Sequence, residues 1–402
     1  MDEFSVLIAG GGVAALEAAL TLADVAEGRA RVQLIAPEPL FWYRPASVAE
    51  PFGLGTVRHF DLGRLAASAG AGAMLDTLTG VDVERRLART GSGADVEYDA
   101  LLIACGATPT AAVPGALTFR GPADGPRLRE LLEALDRGDV RHVAFVVPWG
   151  SAWPLPAYEL ALMTARRAAA RDARCAVSLV SPEPRPLDLF GRTASDAVRE
   201  MLRDVGVEFF GGVQAVERTR DRLVLSEGEL PADRVVALPR LVGTRIEGLI
   251  QTSECFIPVD DHCCVLGADG VFAAGDITAF AIKQGGIAAQ QAVAAAEAIA
   301  VLAGATLVPR PFTPILRGLL LTGADPAYLR RDLSGGEPDW ASSAPIWWPP
   351  TKIVGRRLGP FLASFAGESE ERGEMLPPAG GLAVDVPIAR EPGDTLAVGL
   401  GF

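Results

Sequence analysis

The 402-residue sequence predicts an α/β chain made of two βαβ units and a C-terminal extension. Three observations carry this reading. An apolar run from Phe4 to Ala9 ends in Gly10-Gly-Gly12, passes into an Ala/Leu-rich stretch and is followed by a second apolar run, Val32 to Ala36. The pattern has an internal echo. VQLIAPEP at 32–39 is matched by VSLVSPEP at 177–184, each closing an apolar strand that follows an Ala-rich helix. The length suggests two to three domains and is ample to bury a core without disulfide staples. Strands alternating with helices of this length fold as parallel sheets, so both units read as Rossmann-like dinucleotide-binding domains.

The first unit carries GxGxxA at the end of its first strand. Gly10 permits the tight turn and Gly12 lets the backbone approach a pyrophosphate. Ala15 allows close helix–strand packing. The first helical residues, Val13 and Ala14, would then turn unpaired N–H groups and a positive dipole end towards the phosphates. An acidic ribose ligand is expected at the end of the second strand, and Glu38 is the nearest carboxylate. A solvated turn residue between two prolines is the other reading of Glu38.

The second unit has a strand over His142–Val147 and a helix over Leu155–Ala170, but its turn reads Pro148-Trp-Gly-Ser-Ala-Trp153-Pro-Leu-Pro156. Gly150 is the one glycine left, and Trp149 and Trp153 occupy space that a pyrophosphate needs bare. This domain is expected not to bind NAD(P)H in the usual way.

Two later segments are strands ending in glycine turns. Tyr98–Pro109 contains Ala104 and Gly106, and Asp269–Ile277 delivers Asp276 directly after Gly275. The apolar stretch from about Ile287 to Leu302 is interrupted by Gln290, Gln291 and Glu297, so it reads as a packed helix and not a membrane span.

Composition bounds the rest. The hydrophobic fraction is 49% and the charged fraction 22%, a globular balance. A net charge of −13 argues against wholesale nucleic-acid binding and against a broad basic membrane surface. The five cysteines, Cys105, Cys175, Cys255, Cys263 and Cys264, form no CxxC, so no metal site is read. Without a recognisable leader, the expectation is a reducing cytoplasm and free thiols. Basic residues are almost all Arg, with Lys283 and Lys352 the exceptions. A lysine retained against such a bias suggests a need for a compact point charge.

Gly10-Gly-Gly12, the strand before Gly106, and Gly275-Asp276 resemble the FAD-binding signatures of two-dinucleotide-binding-domain flavoproteins. Phe41-Trp-Tyr-Arg-Pro45, Pro154-Leu-Pro-Ala-Tyr-Glu-Leu160 and Gly275–Gly286 more narrowly resemble the branch of sulfide:quinone oxidoreductases, flavocytochrome c sulfide dehydrogenase flavoprotein subunits and type II NADH dehydrogenases. The resemblance spans roughly residues 4–310. It implies FAD as cofactor and a discontinuous FAD domain. On that basis 1–112 and 246–310 form the FAD-binding domain and 113–245 the second Rossmann-like domain. Outside the resemblance, residues 311–402 are expected to form a C-terminal region, and the acidic, Gly/Pro-rich composition from Gly367 predicts a loosely ordered tail. The family likeness further implies that Asp276 bonds the flavin ribityl chain, and that Arg44-Pro45 packs near the flavin. It also implies that Lys283, Gln284 and Gly285 run along the isoalloxazine, where a cation favours reduced flavin. A surface lysine is the alternative for Lys283.

The departures shape the functional expectation. Trp153 stands where sulfide:quinone oxidoreductases hold a redox cysteine, and residues 40–60 contain none. Cys105 is read as a core thiol. Cysteine-dependent sulfide oxidation is therefore disfavoured. The expected activity is two-electron transfer through FAD from an unknown small-molecule donor to a quinone-like acceptor. An NAD(P)H-dependent flavin reductase and a non-catalytic flavin-binding scaffold are the alternatives. Phe312–Leu321 reads as a strand pair. Residues 345–365 mix tryptophans, basic and apolar positions, and three roles stay open for them: a peripheral membrane contact on the inner face of the plasma membrane, a lid over the flavin, or a homodimer patch.

Overall fold

A computed structural model describes residues 4–336, 338–347 and 350–371, with side chains described to Phe365. Two five-stranded parallel sheets dominate it. The first has the order Val271–Ala273, Ala100–Ile103, Phe4–Ala9, Ala30–Ala36, Gly72–Leu75. The second has the order Leu117–Thr118, Arg234–Ala237, His142–Val146, Ala176–Ser181, Val207–Gly211. In both sheets the strand that opens the βαβ unit lies at the centre. The strand order reverses there, which leaves a crevice at the strands' C-terminal ends.

The first sheet is completed by Val271–Ala273, after the whole of the second has been built. Where the chain passes between the two, Ala107–Thr110 pairs antiparallel with Arg240–Gly243. The expected strands and helices form with small shifts at their ends. Helix α1 is Val13–Val25, α2 Leu62–Ser68, α3 Gly125–Asp136, α4 Leu155–Ala170, α5 Arg192–Asp204, α6 Gly285–Leu302 and α7 Leu358–Glu371.

Helix α6 is long and apolar enough to cross a membrane by composition, but most of its surface is inside the protein. Its alanines, among them Ala288, Ala292, Ala295 and Ala296, are buried together with Ala14, Ala15 and Ala18 of α1 in one core. Small side chains on both helices let their axes approach closely.

The C-terminal region departs from expectation in two places. Phe312–Leu321 is not itself a strand pair. Only Ile315–Leu320 is extended, and it pairs antiparallel with Ala327–Asp332, which in turn pairs with Trp340–Ser342. The helix α7 continues through Gly367 to Glu371, and the remainder of the expected tail lies outside the described residues. The start of α7 is held by a buried carboxylate. Glu17 of α1 accepts the N–H groups of Arg357 and Leu358, each at 2.9 Å, and so satisfies donors a helix start leaves unpaired.

Candidate flavin-binding cleft

The first strand–helix turn forms as the glycine pattern requires. A Cβ on Gly10 (φ +145°) would lie 2.1 Å from the carbonyl oxygen of Ala104, so only glycine lets the two strand ends meet. Gly12 is the N-cap of α1, no side chain bonds the helix start, and nothing lies within 4 Å of where its Cβ would be. The N–H groups of Val13, Ala14 and Ala15 therefore have no helical partner, while Leu16 makes the first helical bond, to Gly12. Gly106 (φ +73°) also borders open space.

The second glycine turn abuts this one. Gly275 (φ +82°) donates its N–H to Gln291 at 2.8 Å, and a Cβ on it would meet Ala14 at 3.3 Å. Beyond it opens a cleft of ≈ 280 Å³. Arg44, Pro45, Asp276, Lys283, Gln284 and Gly285 all line it. Burial raises the Asp276 carboxyl, against the pull of Lys283 and Arg44. Among the described residues Asp276 accepts no hydrogen bond from the protein.

Lys283 is buried, 7% exposed. Its ammonium sits 4.0 Å from the ring centroid of Phe256 and donates to the carbonyl of Thr278. Burial lowers its pKa to about 8, with Asp276 and Glu254 opposing the shift. Gln284 lines the cleft beside Lys283. Its side chain caps α6 by accepting from Ile287 at 2.9 Å and donates to the Arg317 carbonyl at 3.2 Å, so its backbone is what remains for a cofactor. Gly285 packs under Ile353, which a Cβ would approach to 3.0 Å. Glu38 is exposed after its strand and is not among the residues that line the cleft. Cys105, expected in the core, is exposed, because the strand ends at Ile103 and the Gly106 turn carries it out of the sheet.

The cleft also contains residues that sequence reasoning passed over. Glu159 of α4 is fully buried, and both its oxygens accept from the Lys352 ammonium, at 2.6 and 2.7 Å. It also accepts the N–H of Leu321 at 2.8 Å. Burial pushes Glu159 up and Lys352 down, each towards its neutral form, while their mutual attraction resists. The signals that could have found the pair were the scarcity of lysine and the Pro154–Leu160 stretch that contains Glu159. Trp153 forms part of the wall, edge-on to Phe190 at 5.8 Å between centroids.

Several residues of 345–365 pack onto the cleft and the core. Lys352 and Ile353 line the cleft, and Trp347, Leu358, Leu362 and Phe365 are buried against the core. These apolar side chains are not available to a membrane. Trp348 lies outside the described residues.

Residues 4–296 match the pyridine nucleotide-disulphide oxidoreductase family. The chain belongs to that family. An NADH dehydrogenase-like protein of Mycobacterium tuberculosis is 28% identical over 294 residues, covering 68% of this chain and 72% of the relative. In fold the chain is similar to the sulfide:quinone oxidoreductase of the hyperthermophilic bacterium Aquifex aeolicus. The TM-score is 0.74 at 18% identity, covering 84% of this chain and 86% of that one. It is also similar to a ferredoxin reductase of Rhodopseudomonas palustris, with a TM-score of 0.62 at 22% identity over 83% and 84% of the two chains.

The protein is thus an FAD-dependent oxidoreductase of this family. Its residues fit the cofactor. The open space over Gly12 and the unpaired N–H groups of α1 suit a pyrophosphate, and the unpartnered Asp276 suits a polyol chain. FAD, when bound, supplies the two-electron redox couple. The chain would supply the binding surface, with Lys283 and apolar side chains such as Leu155, Leu238 and Leu319 in its lining.

Proposed function

We propose that this enzyme passes two electrons through FAD to a quinone-like acceptor, without cysteine chemistry, from a small-molecule donor still to be identified. Gly10, Gly12, Val13, Ala14, Ala15, Ala104, Gly106 and Gly275 would hold the dinucleotide, with Glu38 near the ribose. Asp276, Arg44, Pro45, Gln284 and Gly285 would flank the flavin. Lys283 would stabilise negative charge on it.

The observation that carries the reading is the buried Glu159–Lys352 pair in the cleft wall. A quinone takes up protons as well as electrons. A carboxylate and an ammonium hydrogen-bonded to each other in the cleft wall set a proton acceptor and a proton donor beside the bound ligand, which is what such an acceptor requires. The fold neighbour from Aquifex aeolicus, a sulfide:quinone oxidoreductase, is in keeping with it.

The test uses holoenzyme reduced photochemically under anaerobic conditions and mixed with menadione. Flavin reoxidation above ~1 s⁻¹ is expected, slowed in Glu159→Gln. Reoxidation no faster than in buffer would overturn the reading.

A second reading, NAD(P)H-dependent flavin reduction, is favoured by the NADH dehydrogenase-like relative. Anaerobic bleaching of the flavin by NADH above ~1 s⁻¹ would put it first. We expect slower bleaching, because Trp153 takes up space in the second turn.

A further inference from the structure

The cleft has the opposite charge balance to the chain around it. Acids outnumber bases over the whole sequence, for a net −13. Five basic side chains line the cleft, Arg44, Arg120, Lys283, Arg317 and Lys352, against two carboxylates, Asp276 and Glu159. Both carboxylates are matched from within, Glu159 by Lys352 and Asp276 by the fields of Lys283 and Arg44.

Arg120 is paired with neither cleft carboxylate but with Asp124, which does not line the cleft. Its side chain is 43% exposed, and the Asp124 carboxylate reaches its guanidinium only at 3.5 Å. That carboxylate already accepts the backbone N–H of Arg120 at 2.9 Å. A guanidinium has five donors in a planar fork, so a single long contact leaves most of them for a ligand. The backbone beneath it is well fixed. Phe119 on one side is buried, and Gly121 on the other turns the chain at φ +134°. Arg120 therefore stands at the edge of an apolar wall that includes Phe119, Leu155, Leu238, Leu241 and Leu319.

We propose that the cleft selects a ligand that joins a flat apolar ring to an anionic group, a carboxylate or sulfonate, and that Arg120 is the specificity-determining contact for the anion. The proposal deepens the quinone-like reading and rests on it for the nature of the ring. An anion repelled by the acidic surface elsewhere meets an excess of positive charge here. Its oxygens can take two parallel N–H bonds from one guanidinium, which gives direction as well as energy. Because Arg120 is half-exposed, the preference is screened by salt.

Calorimetric titration of the oxidised holoenzyme with naphthalene-2-sulfonate and 2-naphthalenemethanol tests this, since the two share a ring and differ in charge. At about 20 mM NaCl the sulfonate is expected to bind about fivefold more tightly. The advantage should vanish at about 500 mM NaCl and in Arg120→Gln, and should survive in part in Arg120→Lys. Equal dissociation constants in the wild type would overturn the proposal. So would an unchanged ratio in Arg120→Gln, or an equal weakening of both ligands there. Menadione reoxidation reports on the acceptor separately: if it fails while the sulfonate preference holds, the quinone-like reading falls and the anion contact stands.

Discussion

The chain holds two versions of one strand–turn–helix, built on sheets with the same central order, and they have diverged in opposite directions. At Gly10–Ala15 the backbone is bare, with open space over Gly12 and no side chain on the helix start. At Pro148–Pro156 the turn is filled. Trp153 leans on Phe190, Pro154 occupies the N-cap of α4, and Trp149 stands out at 64% exposed. The acids at the ends of the second strands differ too. Glu38 is exposed, whereas Glu183 is turned inward, accepting from Tyr158 at 3.1 Å, Ser181 at 3.3 Å and Leu189 at 3.4 Å. Burial pushes the Glu183 carboxyl up to about 7. A carboxylate so engaged is not free to bind a ribose. The second turn instead builds the wall of the cleft, to which α4 and its approach contribute Trp153, Leu155, Pro156 and Glu159.

The largest effect is expected where the bare turn is altered. Gly12→Ala adds a methyl in open space at ordinary backbone angles, at a cost to the apoprotein of under ~1 kcal/mol. The methyl would occupy the space the pyrophosphate requires. FAD affinity should fall on the order of a hundredfold, with the apoprotein's melting temperature nearly unchanged. The matching change in the other turn is Gly150→Ala. There φ is +76° and the new Cβ would lie 3.6 Å from Arg240. It should cost ~1–2 kcal/mol of stability from the left-handed backbone and leave FAD affinity alone. Equal FAD loss in both would break the distinction between the turns.

The next effect separates the residues α4 lends to the cleft from those it uses for packing. Glu159→Gln leaves the Lys352 ammonium buried without its counter-charge, which should cost about 3–5 kcal/mol. Adding Lys352→Met removes the stranded charge, while the new amide oxygen still accepts the Leu321 N–H, so most of that loss should return. Urea unfolding of the two variants measures it. A double variant no more stable than the single one would show that the pair matters through packing alone.

Both turns were legible in the sequence because glycine spacing and its absence are backbone statements. Gly10, Gly12 and Gly275 each meet another part of the chain or open space in the way their spacing implied. The Glu159–Lys352 pair was not legible. Its members are 193 positions apart and meet only because the C-terminal segment folds back over the cleft. The same long-range step buried Trp347, Ile353, Leu358, Leu362 and Phe365, in a segment whose composition alone suited a membrane equally well. Lys283 was found because it is rare, but its seat on the Phe256 ring was not, since that contact joins two loop positions 27 residues apart.

A smaller effect should come from Lys283→Met. The ammonium lies in the cleft wall in a poorly solvated setting, where a fixed cation favours a reduced, negatively charged flavin. Losing it should lower the midpoint potential by tens of millivolts, since ~30 mV is ~1.4 kcal/mol for two electrons. The gap between wild type and variant should be full below about pH 8 and shrink as pH rises through it, because burial brings this ammonium's pKa to about 8. Spectroelectrochemistry at several pH values checks both. A gap that does not change with pH would mean that the lysine's charge is not what acts.

The smallest effect, none, is expected from the cysteines, and it bears directly on the role of the filled second turn. Trp153 cannot exchange a disulfide, so a thiol mechanism would need a cysteine from elsewhere. None of the five is among the side chains that line the cleft. Burial and the Asp260 carboxylate beside them raise the thiols of Cys263 and Cys264, the latter to about 11, and burial takes Cys175 to about 11 as well. A thiolate is the reactive form, so these groups are held away from it at neutral pH. Cys→Ser at each of the five positions in turn should therefore leave menadione reoxidation of the reduced holoenzyme within about twofold of wild type, a difference below ~0.5 kcal/mol in barrier. One substitution that abolished turnover with FAD still bound would restore a thiol to the mechanism, and would make the filled second turn a bystander instead of the wall of the site.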